Sequence, residues 1–540
     1  MTPTMRRILG FVIVAMALLV RGPAMGDRSW ALDDVITWNV ARLPIWTSEQ
    51  PPPGVSPKGI IGFCMQDRGP GPLTYLVDGF CARWAAPLGR EWVLRIPGFT
   101  AAVLTVLLCL WKGRLLTGSD YGAIAMAAAA GIPLWIEFSV SPRGYSWVVL
   151  IGFAQLASVF EARLFSGARA RNARLGFVVL SILAFFFHAF SVAWSGALAI
   201  ALLWEIAMKR ARKPALWEWI VCVASALLVA AWLTLWLRSS DAGAGIQMTG
   251  VIEKLATTMR ELIVDINAET CIGMLGLLLF LGRGWDRRWS FAARLAIIAI
   301  FFHAALAAVI AMKFKSADRY LFGLSILAVW AAGVGSTRIV ALEVLGLFYH
   351  GDFERSVRSL SLRKSWKETK AVFESWRTTP RELLRQSFIV FARRHRLAFF
   401  SLLLVVAAPF GPASWRTAGA PWHDWSSAIK DFSTIYKPGD VVLFGPNSER
   451  EIYYVYAQAA GLPSDSAPGA LLLPDGATLN PAKAPDLARI AELGSGRVYF
   501  FTSFYRDPSR SEEYWRTLDE RFVELPSTPG RAPIRLWRAK

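Results

Sequence analysis

Long apolar runs separated by short basic or polar links recur over the first three quarters of the chain, a pattern that predicts membrane-spanning helices rather than a soluble core. The first run, Ile8 to Val20, follows Met5-Arg6-Arg7. It is read as a retained helix rather than a signal peptide, because Arg21, Pro23 and Met25 make a poor small-residue cleavage site. Residues 25–91 carry Pro51-Pro52-Pro53 and Gly69-Pro70-Gly71-Pro72 but no spanning run, so they form a long external loop. Within it, Pro72 to Trp84 is apolar yet broken by Asp78 and Arg83, and is expected to lie in the interface.

Spans are predicted over residues 92–111, 121–138 and 145–161, with Lys112 and Arg114 inside, Ser139 to Gly144 outside, and Arg163, Arg169, Arg171 and Arg174 inside. The next run, Leu175 to Met208, is too long for one helix, and a single helix would carry Lys209-Arg210-Ala211-Arg212-Lys213 outside. Two short helices turning near His188 restore the charge pattern and bring His188 to the outer surface. Residues 215–237, 270–282, 291–312, 321–337 and 397–413 complete a count of about eleven spans, with the N-terminus inside and the C-terminus outside. The polar loop Ser239 to Glu269 contains an amphipathic surface helix, and Arg338 to Arg396 form a long basic cytoplasmic segment.

Beyond residue 413 the pattern changes. Val441 to Phe444 and Arg497 to Phe501 read as strands, and Trp425 to Tyr436, Glu449 to Ala460 and Ser511 to Phe522 as helices. The expected architecture is a polytopic α-helical membrane domain, 1–413, followed by a small extracytoplasmic α/β domain, 414–540. The tail has neither a Gly-rich phosphate loop nor a nucleophile elbow, so no second active site is read in it.

Composition agrees with this division: 54% of the residues are hydrophobic and only 18% charged, with a mean hydropathy of +0.38. The net charge of +19 then assigns the excess Lys and Arg to cytoplasmic loops and anionic lipid. No basic segment is interleaved with aromatics as a nucleic-acid groove requires. The five cysteines form no CxxC pair and the five histidines have no ligand spacing, which argues against a structural zinc site. Cys64 and Cys81 share the first external loop and leave two readings open, a disulfide or two free thiols.

The polar residues that interrupt the apolar pattern sort by side. Asp33, Asp34, Asp67, Arg68, Arg95, Arg143, Tyr145, His188, Lys313, Lys315, Arg319 and Tyr320 all fall at or near the outer face, acids in the first loop and cations in the later ones. Such a set suits group transfer from a lipid phosphate: cations hold the leaving phosphate while a carboxylate takes the proton of the attacking hydroxyl. Each residue also has an ordinary role. Asp33-Asp34 can cap a helix, Arg95 and Arg143 can snorkel to headgroups, His188 can pack, and Lys313 to Arg319 can bind headgroups without turnover.

The order of these features resembles the C-type (GT-C) integral-membrane glycosyltransferases, in particular the protein O-mannosyltransferase-like and aminoarabinose-transferase-like bacterial branch. Trp30-Ala31-Leu32-Asp33-Asp34 looks like that family's acidic pair after the first helix, with Asp in place of the second Glu. Asp67-Arg68-Gly69-Pro70-Gly71-Pro72-Leu73-Thr74-Tyr75 resembles its acidic and Pro-rich step, and Arg95-Ile96-Pro97 its Arg-x-Pro. Arg143-Gly144-Tyr145 resembles its Arg-Pro-Tyr with Gly for Pro, His188 its outer-turn histidine, and Arg319-Tyr320 its Arg-Tyr. Trp425 and Pro438-Gly439-Asp440 resemble its soluble C-terminal domain.

The resemblance implies a polyprenyl phosphate-linked sugar donor and an inverting transfer to a lipid, glycan or protein acceptor at the outer face of a bacterial cytoplasmic membrane. Asp33 would be the base, with Asp34 sharing its charge or shaping the acceptor site. Arg319, Tyr320 and Arg143 would hold the donor phosphate, and Asp67 would contact sugar or acceptor. No cofactor is expected, and metal independence is favoured over a divalent ion because few acids cluster. Two rivals stay open, a transporter or flippase of a lipid-linked or small solute and a non-catalytic scaffold. Against the transporter stand the lack of an internal repeat and the gathering of ionisable residues at one face.

Overall fold

The computed structural model describes residues 3–26, 59–66, 71–84, 90–129, 139–211, 213–239, 294–303, 322–344, 425–437, 441–444, 460–462, 498–502, 522–524 and 535–539, with a few residues in 37–45, 291 and 453–457. Most of the expected loop 239–269, the spans expected at 270–282 and 397–413, most of the basic segment 338–396 and most of the helices at 449–460 and 511–522 lie outside them.

The helices are α1 (Pro3–Gly26), α2 (Gly59–Gln66), α3 (Pro72–Trp84), α4 (Arg90–Thr117), α5 (Asp120–Ala129), α6 (Tyr145–Leu164), α7 (Gly167–Phe187), α8 (Ser191–Ala207), α9 (Leu216–Ser239), α10 (Arg294–His303), α11 (Phe322–Val344) and α12 (Trp425–Ile435). Among the described residues, three segments are long and apolar enough to cross a membrane: Trp92–Thr117, Tyr145–Leu164 and Gly167–Phe187. Shorter apolar helices accompany them, and the protein is a multi-pass membrane protein.

The run Leu175 to Met208 is two helices that meet at His188, as its length demands. α7 starts earlier than its apolar run, at Gly167, because Arg169, Arg171 and Arg174 are helical. The span expected over 121–138 begins as α5, whose residues Gly122 to Ala129 are all buried. An α-helix apolar on every side belongs in the middle of a bundle.

The chain divides into two compact units. The first comprises Met1–Gly22, Pro44–Val77 and Ile96–Ala418. In its bundle α6 lies along α7, α8 against α6, and α11 against α5. Small residues allow this: a Cβ on Gly122 would strike the Gly333 carbonyl, and one on Gly113 would meet Ala123. Interior polar groups tie helix to helix. The Gln155 amide donates to Ser181 Oγ at 3.0 Å and Ser195 Oγ at 2.8 Å, and the indoles of Trp194 and Trp330 donate to the Gly152 and Leu116 carbonyls, each at 3.1 Å. Leu104, Leu107, Val179, Ile200 and Leu227 are exposed on the outside, the inverse of a soluble protein and the order that lipid requires.

The second unit comprises Pro23–Leu43, Asp78–Arg95 and Gly419–Lys540, so parts of the stretch 25–91 group with the tail. Its sheet has the order β1-β2-β4-β3, with β1 (Val441–Phe444) parallel to β2 (Val498–Thr502). β4 (Arg535–Ala539) pairs antiparallel with both β2 and β3 (Phe522–Glu524). Phe522 is therefore a strand residue paired with Ala539, not the end of a helix. Leu94, Trp425, Ile429, Phe432, Tyr453 and Tyr499 form the core of this unit, with Phe432 edge-on to Tyr499 at 5.0 Å.

Candidate functional site

Of the expected site residues, Arg95, Arg143, Tyr145 and His188 are described; Asp33, Asp34, Asp67, Arg68, Lys313, Lys315, Arg319 and Tyr320 lie outside the described residues. Cys64 is buried and Cys81 half-buried, and neither is joined in a disulfide.

Arg143, Tyr145 and His188 come together in the first unit, where α7, α8 and the start of α6 meet. α7 ends when His188 leaves the helical backbone region at φ −158°, its amide donating to the Ala184 carbonyl at 2.9 Å. The chain turns in three residues, and α8 begins at Ser191, whose amide donates to the His188 carbonyl at 3.0 Å. Tyr145 and Phe190 flank the imidazole, their ring centroids 5.3 Å and 5.5 Å away. His188 is fully buried, and Arg143 and Tyr145 nearly so.

Burial, and then the neighbouring Arg143 charge, push the His188 pKa down to about 3, so the ring is neutral at physiological pH. The Phe190 amide approaches Nδ1 at 3.4 Å, which assigns the lone pair to Nδ1 and the proton to Nε2. His188 is therefore an uncharged hydrogen-bond donor beside a guanidinium, a pair suited to an anionic oxygen.

The turn is held from Gly71 and Thr74, at the start of α3. The Phe187 carbonyl, left over at the end of α7, accepts from the Gly71 amide at 2.8 Å and from Thr74 Oγ1 at 2.9 Å. Gly71 has no alternative, since a Cβ there would strike the Phe186 carbonyl. Gly144, at φ +74°, caps α6 in the left-handed region, and a Cβ would run into Thr74 Oγ1. A proline could not take this position, because a ring that fixes φ near −65° cannot make the turn. Trp147 stacks on Phe187 at 5.4 Å with the planes 11° apart, which closes the anchor from the other side.

In the second unit Arg95, buried in the first turns of α4, donates from Nη1 to the Met25 carbonyl at 2.9 Å. It thereby ties Met25, near the end of α1, to the first turns of α4. Gly71, Thr74 and Gly144 were not among the expected site residues, and neither was Asp78, a carboxylate buried in the apolar α3. For Asp78 the signal was available: an acid inside a short apolar helix. For Thr74 it was not, because its partner lies 113 positions away. Among the described residues no three His, Cys, Asp or Glu side chains group as a metal site.

No family model matches the chain, and no curated protein matches it by sequence. In three dimensions it is similar to ArnT from Cupriavidus metallidurans bound to undecaprenyl phosphate, with a TM-score of 0.52 and 13% identity, covering 98% of this chain and 97% of that one. The apo state of the same protein gives a TM-score of 0.51 and 14% identity over the same shares. At such identity the likeness is one of fold, and it extends over nearly the whole of both chains: the protein has a GT-C-like fold.

Proposed function

We propose that the protein transfers a sugar from a polyprenyl phosphate to a lipid, glycan or protein acceptor at the outer face of the membrane, by one inverting displacement. The acceptor oxygen bonds to the anomeric carbon as the bond from that carbon to the phosphate oxygen breaks. The acceptor proton passes to Asp33, and the polyprenyl phosphate leaves with the bonding electrons. Asp34 shares the charge of the base, and Asp67 contacts sugar or acceptor. Arg143, His188 Nε2 and Arg319 with Tyr320 hold the leaving phosphate, and Lys313 and Lys315 add to the positive field around it.

The observation that carries this reading is the turn between α7 and α8, where a buried neutral histidine and a buried arginine share one anchored site. Its support is the fold shared with a protein that binds undecaprenyl phosphate. Asp33→Asn is expected to lower turnover by about 10²–10⁴-fold, the range of a lost general base, while the protein still assembles in the membrane. The measurement is transfer of labelled sugar from a synthetic polyprenyl phosphate donor in proteoliposomes. Near-normal turnover in that variant removes Asp33 as the base, and solute movement without sugar transfer favours the transporter.

A further inference from the structure

At the far end of the same helices the charges are arranged differently. Tyr145 and Arg163 stand at opposite ends of α6, about 27 Å apart at 1.5 Å per residue, close to the thickness of a bilayer core. There Glu205 of α8, its side chain 0% exposed, receives Arg163 Nε at 2.8 Å and Arg294 Nη2 at 2.5 Å, with Arg210 Nη1 at 3.9 Å. One carboxylate faces three guanidiniums, which leaves a local surplus of two positive charges. Exposure rises in steps, from 6% for Arg163 to 27% for Arg294 and 41% for Arg210, so the group opens toward the headgroup layer.

A further observation points to a ligand. Arg294 Nε is buried and has no hydrogen-bond partner among the described residues. α8 ends in a Schellman turn, with Lys209 at φ +56° and the Arg210 and Lys209 amides donating to the Glu205 and Ile206 carbonyls at 2.8 Å and 3.0 Å, which sets Arg210 at the rim of the group.

We infer that Glu205 and its three arginines form a binding site for the phosphodiester of an anionic glycerophospholipid, on the membrane face opposite the proposed transfer site. Glu205 spaces the guanidiniums, and the lipid phosphate neutralises what it leaves over. The exposed Leu203 and Trp204 beside it offer the acyl chains an apolar flank. The inference rests on the proposed function only for the naming of the two faces, and lipid retention, not turnover, is its readout.

The test is to reconstitute the full chain in nanodiscs of mixed phosphatidylglycerol and phosphatidylcholine, extract it gently, and count co-purifying lipid by native mass spectrometry. Phosphatidylglycerol should be retained in preference, and Arg210→Gln and Arg294→Gln should each lower retention about tenfold, the factor of one lost charge-assisted hydrogen bond to the phosphate. Arg294→Gln can also loosen the bundle, so the more exposed Arg210 decides. Lys213→Gln, at the same face but outside the group, should leave retention unchanged. Equal retention of the two lipids, an Arg210→Gln protein that holds lipid like the parent, or equal loss in Lys213→Gln would overturn the inference. So would displacement of the lipid by millimolar inorganic phosphate, which would mark a small-anion site instead.

Discussion

The two ends of the α6–α7–α8 bundle solve the same problem with different chemistry. At the basic end, helices are joined by ion pairs: Arg6 to Asp120, Lys112 and Arg169 to Glu161, Arg174 to Glu218, and the arginines around Glu205. At the turn end the joints are a shared backbone carbonyl, stacked rings and glycines without room for a Cβ. The neutral contacts of the turn end surround a buried histidine and a buried arginine.

The sharpest way to break this contrast is Glu205→Gln. Removing one partner of a buried pair leaves guanidiniums facing each other, and about 3–5 kcal/mol of stability should be lost. A thermal melt in detergent checks it, with donor binding by the surviving folded protein unchanged. A loss below about 1 kcal/mol, the value of a surface pair, would mean that the basic end is held by packing instead.

The turn end is tested next by pH. The native His188 pKa of about 3 lies below the unfolded value of 6.5, so the unfolded chain binds the extra proton between them. The neutral-histidine contribution is complete above pH 6.5 and falls away as pH drops toward 3. Between pH 7 and pH 5 about 2 kcal/mol should disappear. Melting curves of the parent and of His188→Asn over that interval should show a flatter slope in the variant.

Gly144→Ala forces a Cβ toward Thr74 and holds alanine at φ +74°, a change expected to cost about 1–3 kcal/mol and to weaken donor binding. Binding of a polyprenyl phosphate analogue by the variant measures the second effect. Thr74→Val is the mildest probe. It keeps the shape and removes one hydroxyl donor from a carbonyl that retains the Gly71 amide, for a loss of about 1 kcal/mol in a thermal melt. If Thr74→Val proved as damaging as Gly144→Ala, the hydroxyl would have a role beyond holding the turn.

Much of this plan could be read from the chain. The break at His188 follows from a run too long for one span and from five residues, Lys209 to Lys213, that belong on the basic side. That Arg143, Tyr145 and His188 share one end also followed, because alternating helices return every second link to the same face. What the sequence could not show is how that end is built. The Gly71 and Thr74 bonds to the Phe187 carbonyl are tertiary contacts, made by a loop glycine and by a threonine at the head of a stretch read only as interfacial. Strand β4 was hidden for another reason: Arg535 to Ala539 mix charged and apolar side chains over too few residues to give a clear period. The same limit hid β3 in Phe522 to Glu524.

The length of α8 carries its own consequence. With 17 residues it reaches only about 25 Å, whereas its partner α7, with 21, reaches about 31 Å. Arg169, Arg171 and Arg174 occupy the first turns of α7, however, so the apolar part of each helix falls short of about 30 Å of hydrocarbon and the lipid beside them must thin. Thinning there would draw the phosphate layer down toward His188. Acyl-chain length in the surrounding bilayer would then set how easily a membrane-bound donor reaches the protein.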